Sequence, residues 1–188
     1  MAFPMPADQA SPVSSSPTSA RKRKRLWLRE LAVLVVALLV IQWWQSWNVP
    51  AGSAPAFEAM SADGRGGSLA AFRAVHSGQP VVVYFWADWC SICKAQQGVV
   101  DALRADVPVL TVAMQSGDAA AVAKVLRERG LTWPTLIDPD GAITVSYGLR
   151  GVPAMVVIGE DGRIRSSSIG YTTELGMRLR LWWTRWSA

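Results

Sequence analysis

The chemistry of this 188-residue chain concentrates on its only two cysteines, Cys90 and Cys93, in the run Trp86-Ala87-Asp88-Trp89-Cys90-Ser91-Ile92-Cys93-Lys94. Thiols two residues apart can act in turn. The first attacks a disulfide to form a mixed disulfide, and the second displaces it and frees the product. Exchange needs a thiolate, and a cysteine at a helix N-terminus has its anion favoured by free backbone N–H groups and the positive end of the macrodipole. If a helix starts at residue 91, Cys90 takes that place as nucleophile and Cys93 follows one turn deeper as the resolving thiol. A structural framework would use more bridges closing longer loops. A structural zinc site needs about four protein ligands, and beyond this pair the sequence offers only one histidine, His76. Copper(I) accepts fewer thiolates, so a module that binds the metal through the pair without turnover stays open as an alternative.

The elements that position the pair follow from hydrophobic patterning. Residues 81–87 are apolar throughout and β-branched at their start, as in a strand covered on both faces. Residues 91–105 read as a helix, 107–114 as a second buried strand, and 119–129 as a helix capped by Asp118 and stopped by Gly130. A short strand at 135–137, a turn at Asp138-Pro139-Asp140-Gly141 and a short helix over 142–147 come next. Strands at 154–158 and 164–169 are joined as a hairpin through Glu160-Asp161-Gly162-Arg163. Nearer the start, Asp63-Gly64 marks a turn, and a short helix over 69–76 stops at Gly78. Residues 172–186 close the chain as a helix, whose Leu175, Leu179, Trp182 and Trp186, with Arg178 and Arg185 interleaved, are expected to pack on the sheet, docking on lipid or on a membrane partner being the alternative. Around the pair, Trp86 is expected in the core and Trp89 on the rim, shielding Cys90 and touching a substrate peptide. Trp133-Pro134 is expected to close a nearby loop by packing, and His76 carries no assigned role.

The formal charge of +5 is local. Removing Arg21, Lys22, Arg23, Lys24 and Arg25 from the 19 basic residues leaves 14, matched by 14 acidic ones. A nucleic-acid partner is therefore not expected, since that needs a basic face on the folded part. The basic block precedes an apolar run at 31–41 edged by Trp27, Trp43, Trp44 and Trp47. This is the pattern of a transmembrane anchor over 26–47 with the block held in the cytoplasm. A cleaved export signal ending near Ala54-Pro55-Ala56 is the rival, disfavoured by the bulky Trp residues after the apolar core. Either way the remainder is exported. The expected organisation is a disordered cytoplasmic tail with the basic block (1–25), the anchor (26–47), a Pro/Gly/Ala/Ser linker (48–56) and an α/β domain (57–188).

Two segments carry a resemblance. Residues 85–94 resemble the active-site segment of thioredoxins, and Gly151-Val152-Pro153, with Pro153 60 residues after Cys93, occupies the place of that family's cis-proline loop. The anchor and the stretches near 57–67 and 138–141 resemble the membrane-tethered, periplasmic TlpA/ResA branch. Val112-Ala113-Met114-Gln115-Ser116-Gly117 and the ending from Gly170-Tyr171-Thr172 through Arg180-Leu181-Trp182-Trp183 look closest to the suppressor-of-copper-sensitivity type, ScsD. The resemblance covers about residues 57–186. It implies a thioredoxin fold, a central mixed β-sheet flanked by helices, behind one N-terminal transmembrane helix in the inner membrane, with the catalytic domain in the periplasm. It further implies a redox-active Cys90–Cys93 disulfide with no dissociable cofactor and no metal, and a cis Pro153 facing the pair and keeping metals away. Val152 would lend its backbone to a substrate chain. Exported thiol or disulfide proteins would be the substrates, and a membrane electron-transfer partner would supply reducing equivalents. One departure stands out: where cytoplasmic thioredoxins bury an Asp that assists the resolving thiol, this chain has Tyr84. Asp88 and Lys94 are the charged groups nearby in sequence, both expected to be solvated.

Overall fold

The structure, a computed structural model, describes residues 27, 29–37, 40 and 52–186. It divides into two units, one ending at Ile41 and one running from Gln42 onward. In the first, residues 29–37 are helical. Among the described residues no helix is long and apolar enough to cross a membrane. The expected tail, 1–25, lies outside the described residues, as does much of the expected anchor, including residues 41–47.

The second unit is built on β3 (Val81–Trp86), preceded by the small hairpin β1 (Glu58–Met60) and β2 (Gly66–Ser68) and by helix α1 (Leu69–Val75). All six residues of β3 are buried. Alternation along the strand divides them: Val82, Tyr84 and Trp86 join one apolar cluster with Cys90 and Cys93, while Val81, Val83 and Phe85 join the other with Phe57 and Tyr147. Helices α2 (Ser91–Ala95) and α3 (Gln97–Arg104) lead from β3 to β4 (Val109–Met114), and α4 (Ala119–Glu128) leads from β4 to β5 (Thr135–Asp138). Both strand pairs are parallel, which requires such crossovers. After α5 (Ala142–Ser146), strands β6 (Ala154–Ile158) and β7 (Ile164–Ile169) add antiparallel on the other side of β3, and α6 (Glu174–Trp186) ends the described chain. The sheet order is β5-β4-β3-β6-β7. The β6–β7 turn needs the left-handed backbone of Gly162, φ 82°, which a side chain would strain.

The elements match the sequence reading closely, with two corrections and one addition. Residues 91–105 are not one helix: the chain breaks at Gln96. That side chain is fully buried, and a buried amide needs partners. It finds them outside the helix, with Nε2 3.8 Å from Met155 Sδ and Oε1 accepting the Thr172 N–H at 3.3 Å. In α6 the packed residues are Met177, Leu181 and Thr184, while Leu175, Leu179 and Trp182 are exposed. Apolar residues recur at helical spacing on two faces of α6, and contact with α3 and β7 decides which is covered. Finally, part of the expected linker is fastened down. The Ala54 N–H bonds the Gly162 carbonyl at 2.9 Å, and the Tyr147 hydroxyl donates to the Pro55 carbonyl at 2.8 Å.

Candidate active site

Cys90 stands at the junction of β3 and α2, four residues past the end of the strand, and caps the helix: its Sγ accepts the Cys93 N–H at 3.1 Å. The two cysteines are joined as a disulfide, with their Cα atoms 5.2 Å apart. Cys90 is 6% exposed and Cys93 2%, so Cys90 is the more accessible residue of the pair.

Pairing across the sheet brings the second segment to the first. Because β6 runs antiparallel to β3, with Ala154 opposite Phe85, the residues just before β6 arrive at the end of β3 that carries Cys90. The Val152 carbonyl oxygen lies 3.7 Å from Cys90 Sγ, the Val152–Pro153 peptide bond is cis, and Pro153 is buried. A disulfide sulfur has no proton for that carbonyl, but a Cys90 thiol does. The loop is held from behind, since the Pro153 carbonyl accepts the Gly170 N–H at 2.8 Å.

The turn before Cys90 is fixed by groups from two other places in the chain, residues 115–116 and Arg129. Asp88 N–H donates to Ser116 Oγ at 3.0 Å, and the Asp88 carbonyl accepts from Arg129 Nη2 at 2.8 Å. The Asp88 carboxylate accepts the Trp89 N–H at 2.8 Å. Trp89 is 60% exposed beside the pair, its Nε1–H donating to the Gln115 carbonyl at 3.1 Å. Gln115 has a left-handed backbone, φ 46°, a conformation that costs free energy in a residue other than glycine and is frequent at functional sites. Lys94 is exposed.

Beneath the turn lie Trp86, Trp133 and Tyr84. Trp86 is buried, with Nε1 3.3 Å from Thr111 Oγ1, and Trp133 meets the rings of Trp86 and Tyr84 edge-on, each at 5.8 Å. Trp133 Nε1 donates to Asp101 Oδ1 at 2.7 Å. Tyr84 is fully buried and its hydroxyl has no hydrogen-bond partner. Burial pushes its phenol well above the ordinary range, with the Arg129 charge opposing in part. Among the described residues no group of three or more His, Cys, Asp or Glu side chains is arranged to hold a metal ion.

Cys90, Cys93, Trp89, Val152 and Pro153, all read from the sequence, thus meet at one place. Arg129, Gln96, Gln115 and Ser116 were missed. Arg129 carried the weakest signal, because a basic residue in a last helical turn is ordinarily accounted for by the helix dipole.

Residues 50–167, more than half of the chain, match the family model described as "AhpC/TSA family". Sporulation thiol-disulfide oxidoreductase A of Bacillus subtilis is 28% identical over 105 residues, 52% of this chain and 64% of that protein, slightly less than two thirds of its length. The crystal structure of StoA from the same organism aligns with a TM-score of 0.53 and 26% identity over 71% of this chain and 98% of that one. Thiol-disulfide oxidoreductase ResA of Geobacillus thermodenitrificans is 26% identical over 174 residues, covering 86% of this chain and 97% of that protein. The exposed lipoprotein thioredoxin Etrx1 of Streptococcus pneumoniae aligns with a TM-score of 0.55 and 28% identity over 68% of this chain and 98% of that one. With an antiparallel β6 delivering Val152 to a helix-capping Cys90, the chain belongs to the AhpC/TSA family and stands among its thioredoxin-fold thiol-disulfide oxidoreductases, as a homologue of StoA and ResA.

Proposed function

We propose that this protein reduces disulfides of exported proteins and draws its electrons from a membrane partner. The observation that carries the reading is the helix-capping Cys90, slightly more exposed than Cys93, with its sulfur 3.7 Å from the Val152 carbonyl. In the reduced protein the Cys90 thiolate attacks a substrate disulfide, forming a mixed disulfide and releasing one substrate thiolate. The Cys93 thiolate then attacks Cys90 Sγ, which leaves the protein oxidised and the substrate fully reduced. Trp89 and the Val152–Pro153 segment hold the substrate chain, Val152 through its backbone as an added strand. The chemistry needs no dissociable cofactor.

The setting belongs to the same proposal. Residues 26–47 anchor the chain in the inner membrane, the basic block at 21–25 stays on the cytoplasmic side, and the domain works in the periplasm. An exported domain has no supply of NADPH, so its electrons must cross the membrane through another protein. The sequence resemblance to the suppressor-of-copper-sensitivity type supports a role in copper tolerance through thiol repair. Etrx1, described as an exposed lipoprotein, supports an extracytoplasmic site for the fold.

Thiol trapping in living cells tests the direction: a pair found mostly reduced is the expected result, and a mostly oxidised pair overturns the reductase assignment. Insulin reduction by the purified protein tests the chemistry, and activity that survives Cys90→Ser rejects Cys90 as nucleophile.

A further inference from the structure

Arg129 follows α4 and reaches the active-site turn from 41 residues away in sequence. Its guanidinium donates to the Asp88 carbonyl through Nη2 at 2.8 Å and sits over the Trp86 ring, 5.8 Å from Cζ to the centroid. Nη1 is buried with no hydrogen-bond partner, and among the described residues no carboxylate pairs with Arg129. The nearest acid in sequence to that contact, Asp88, turns its carboxylate to the Trp89 N–H instead. A partly buried cation is normally paired, and one that is not calls for an explanation. Tyr84, whose hydroxyl is the other unpartnered buried group in this cluster, supplies no negative charge at neutral pH.

We propose that Arg129 is a positioning residue of the cysteine pair: it fixes the Asp88 carbonyl leading into Cys90 and supplies an unpaired positive charge that favours the reduced thiolate over the disulfide. The inference rests on the exchange reading above. Its redox step is explicit. Two glutathione molecules give two electrons and two protons to the Cys90–Cys93 disulfide, the S–S bond breaks, one glutathione disulfide forms, and the Cys90 thiol then releases its proton to solvent to become the thiolate. A positive charge held at the turn leading into Cys90 acts differently on the two redox states, because a thiolate is present only on the reduced side. A cation in this place raises the equilibrium constant for reduction.

The test equilibrates the full chain against glutathione at one fixed pH, comparing wild type with Arg129→Gln and Arg129→Lys. Glutamine keeps an amide donor for the Asp88 carbonyl but no charge, and lysine keeps the charge. The expected result is a shift toward the disulfide of about fivefold for R129Q, with R129K within about twofold of wild type. Equal shifts in both variants, or none in either, overturn the inference while wild type still equilibrates. A wild type that does not equilibrate with glutathione at all overturns the exchange reading instead. A second measurement needs no variant: the ratio of Cys90 alkylation by iodoacetate to that by iodoacetamide. A nearby cation attracts the anionic reagent, so the ratio is expected to be higher in the folded reduced protein than in denaturant, and an equal ratio overturns the charge assignment.

Discussion

Tyr84 and Tyr147 are both fully buried, one on each side of the central sheet, and they differ in what their hydroxyls meet. The Tyr147 hydroxyl donates to the Pro55 carbonyl and so ties the start of the domain to its body. The Tyr84 hydroxyl has no hydrogen-bond partner, in the cluster that also holds Trp86, Cys90 and Cys93. Burial pushes both phenols above the ordinary range. A hydroxyl that spends its hydrogen bond on a distant backbone carbonyl is a structural fastening. One left unsatisfied in the cluster that holds the cysteine pair costs stability instead of adding to it. The Tyr147 side holds the fold, and the Tyr84 side holds the chemistry.

That contrast can be broken from either side. The largest effect is expected for Cys90→Ser on the Tyr84 side: insulin reduction falls to about a hundredth of wild type or less, because the nucleophile is gone, while the thermal midpoint of the reduced protein barely moves. The reverse is expected for Phe85→Ala, which empties core space among Val83, Tyr147 and Ala154. Denaturant unfolding registers a loss of about 3–5 kcal/mol, with reductase activity per folded molecule retained. The paired substitution is smaller and sharper. Tyr147→Phe removes the bond to Pro55 and costs about 1 kcal/mol, whereas Tyr84→Phe removes a hydroxyl without a partner and leaves stability unchanged or raised, again by denaturant titration. Equal losses in the two variants would sink the comparison.

The smallest effect is a pH limb. Each phenol has a folded pKa above its unfolded value of about 10, so its contribution is full below that pH and is lost as pH climbs toward the folded value. Stability should therefore fall as pH rises above about 10. Tyr84→Phe and Tyr147→Phe should each flatten that fall in chemical denaturation curves taken across the alkaline range.

Much of the fold and of the site is legible in the order of residues along the chain. The apolar run at 81–87, the two-residue spacing of the cysteines and Gly162 in its turn are local signals, and the strands at 154–158 and 164–169 have the bounds that the residue pattern implies. The failures share a physical cause. The break at Gln96 answers to Met155 and Thr172, which lie 59 and 76 residues away, and the face that α6 buries is chosen by α3 and β7. Arg129, as a residue in a sequence, is one more basic side chain at a helix end.

Helix and strand periodicity, turn residues and the spacing of Cys90 and Cys93 are encoded in neighbouring side chains, so the sequence by itself determined most of the elements and placed Cys90 at a helix start. The tertiary structure alone decided what surrounds that thiol. The antiparallel register of β6 against β3 brings the Val152 carbonyl to Cys90, and the path of α4 brings an unpaired guanidinium to Asp88. Both are contacts between residues far apart in the chain, and their free energy comes from burying shared surface once the sheet has closed, which no local pattern records.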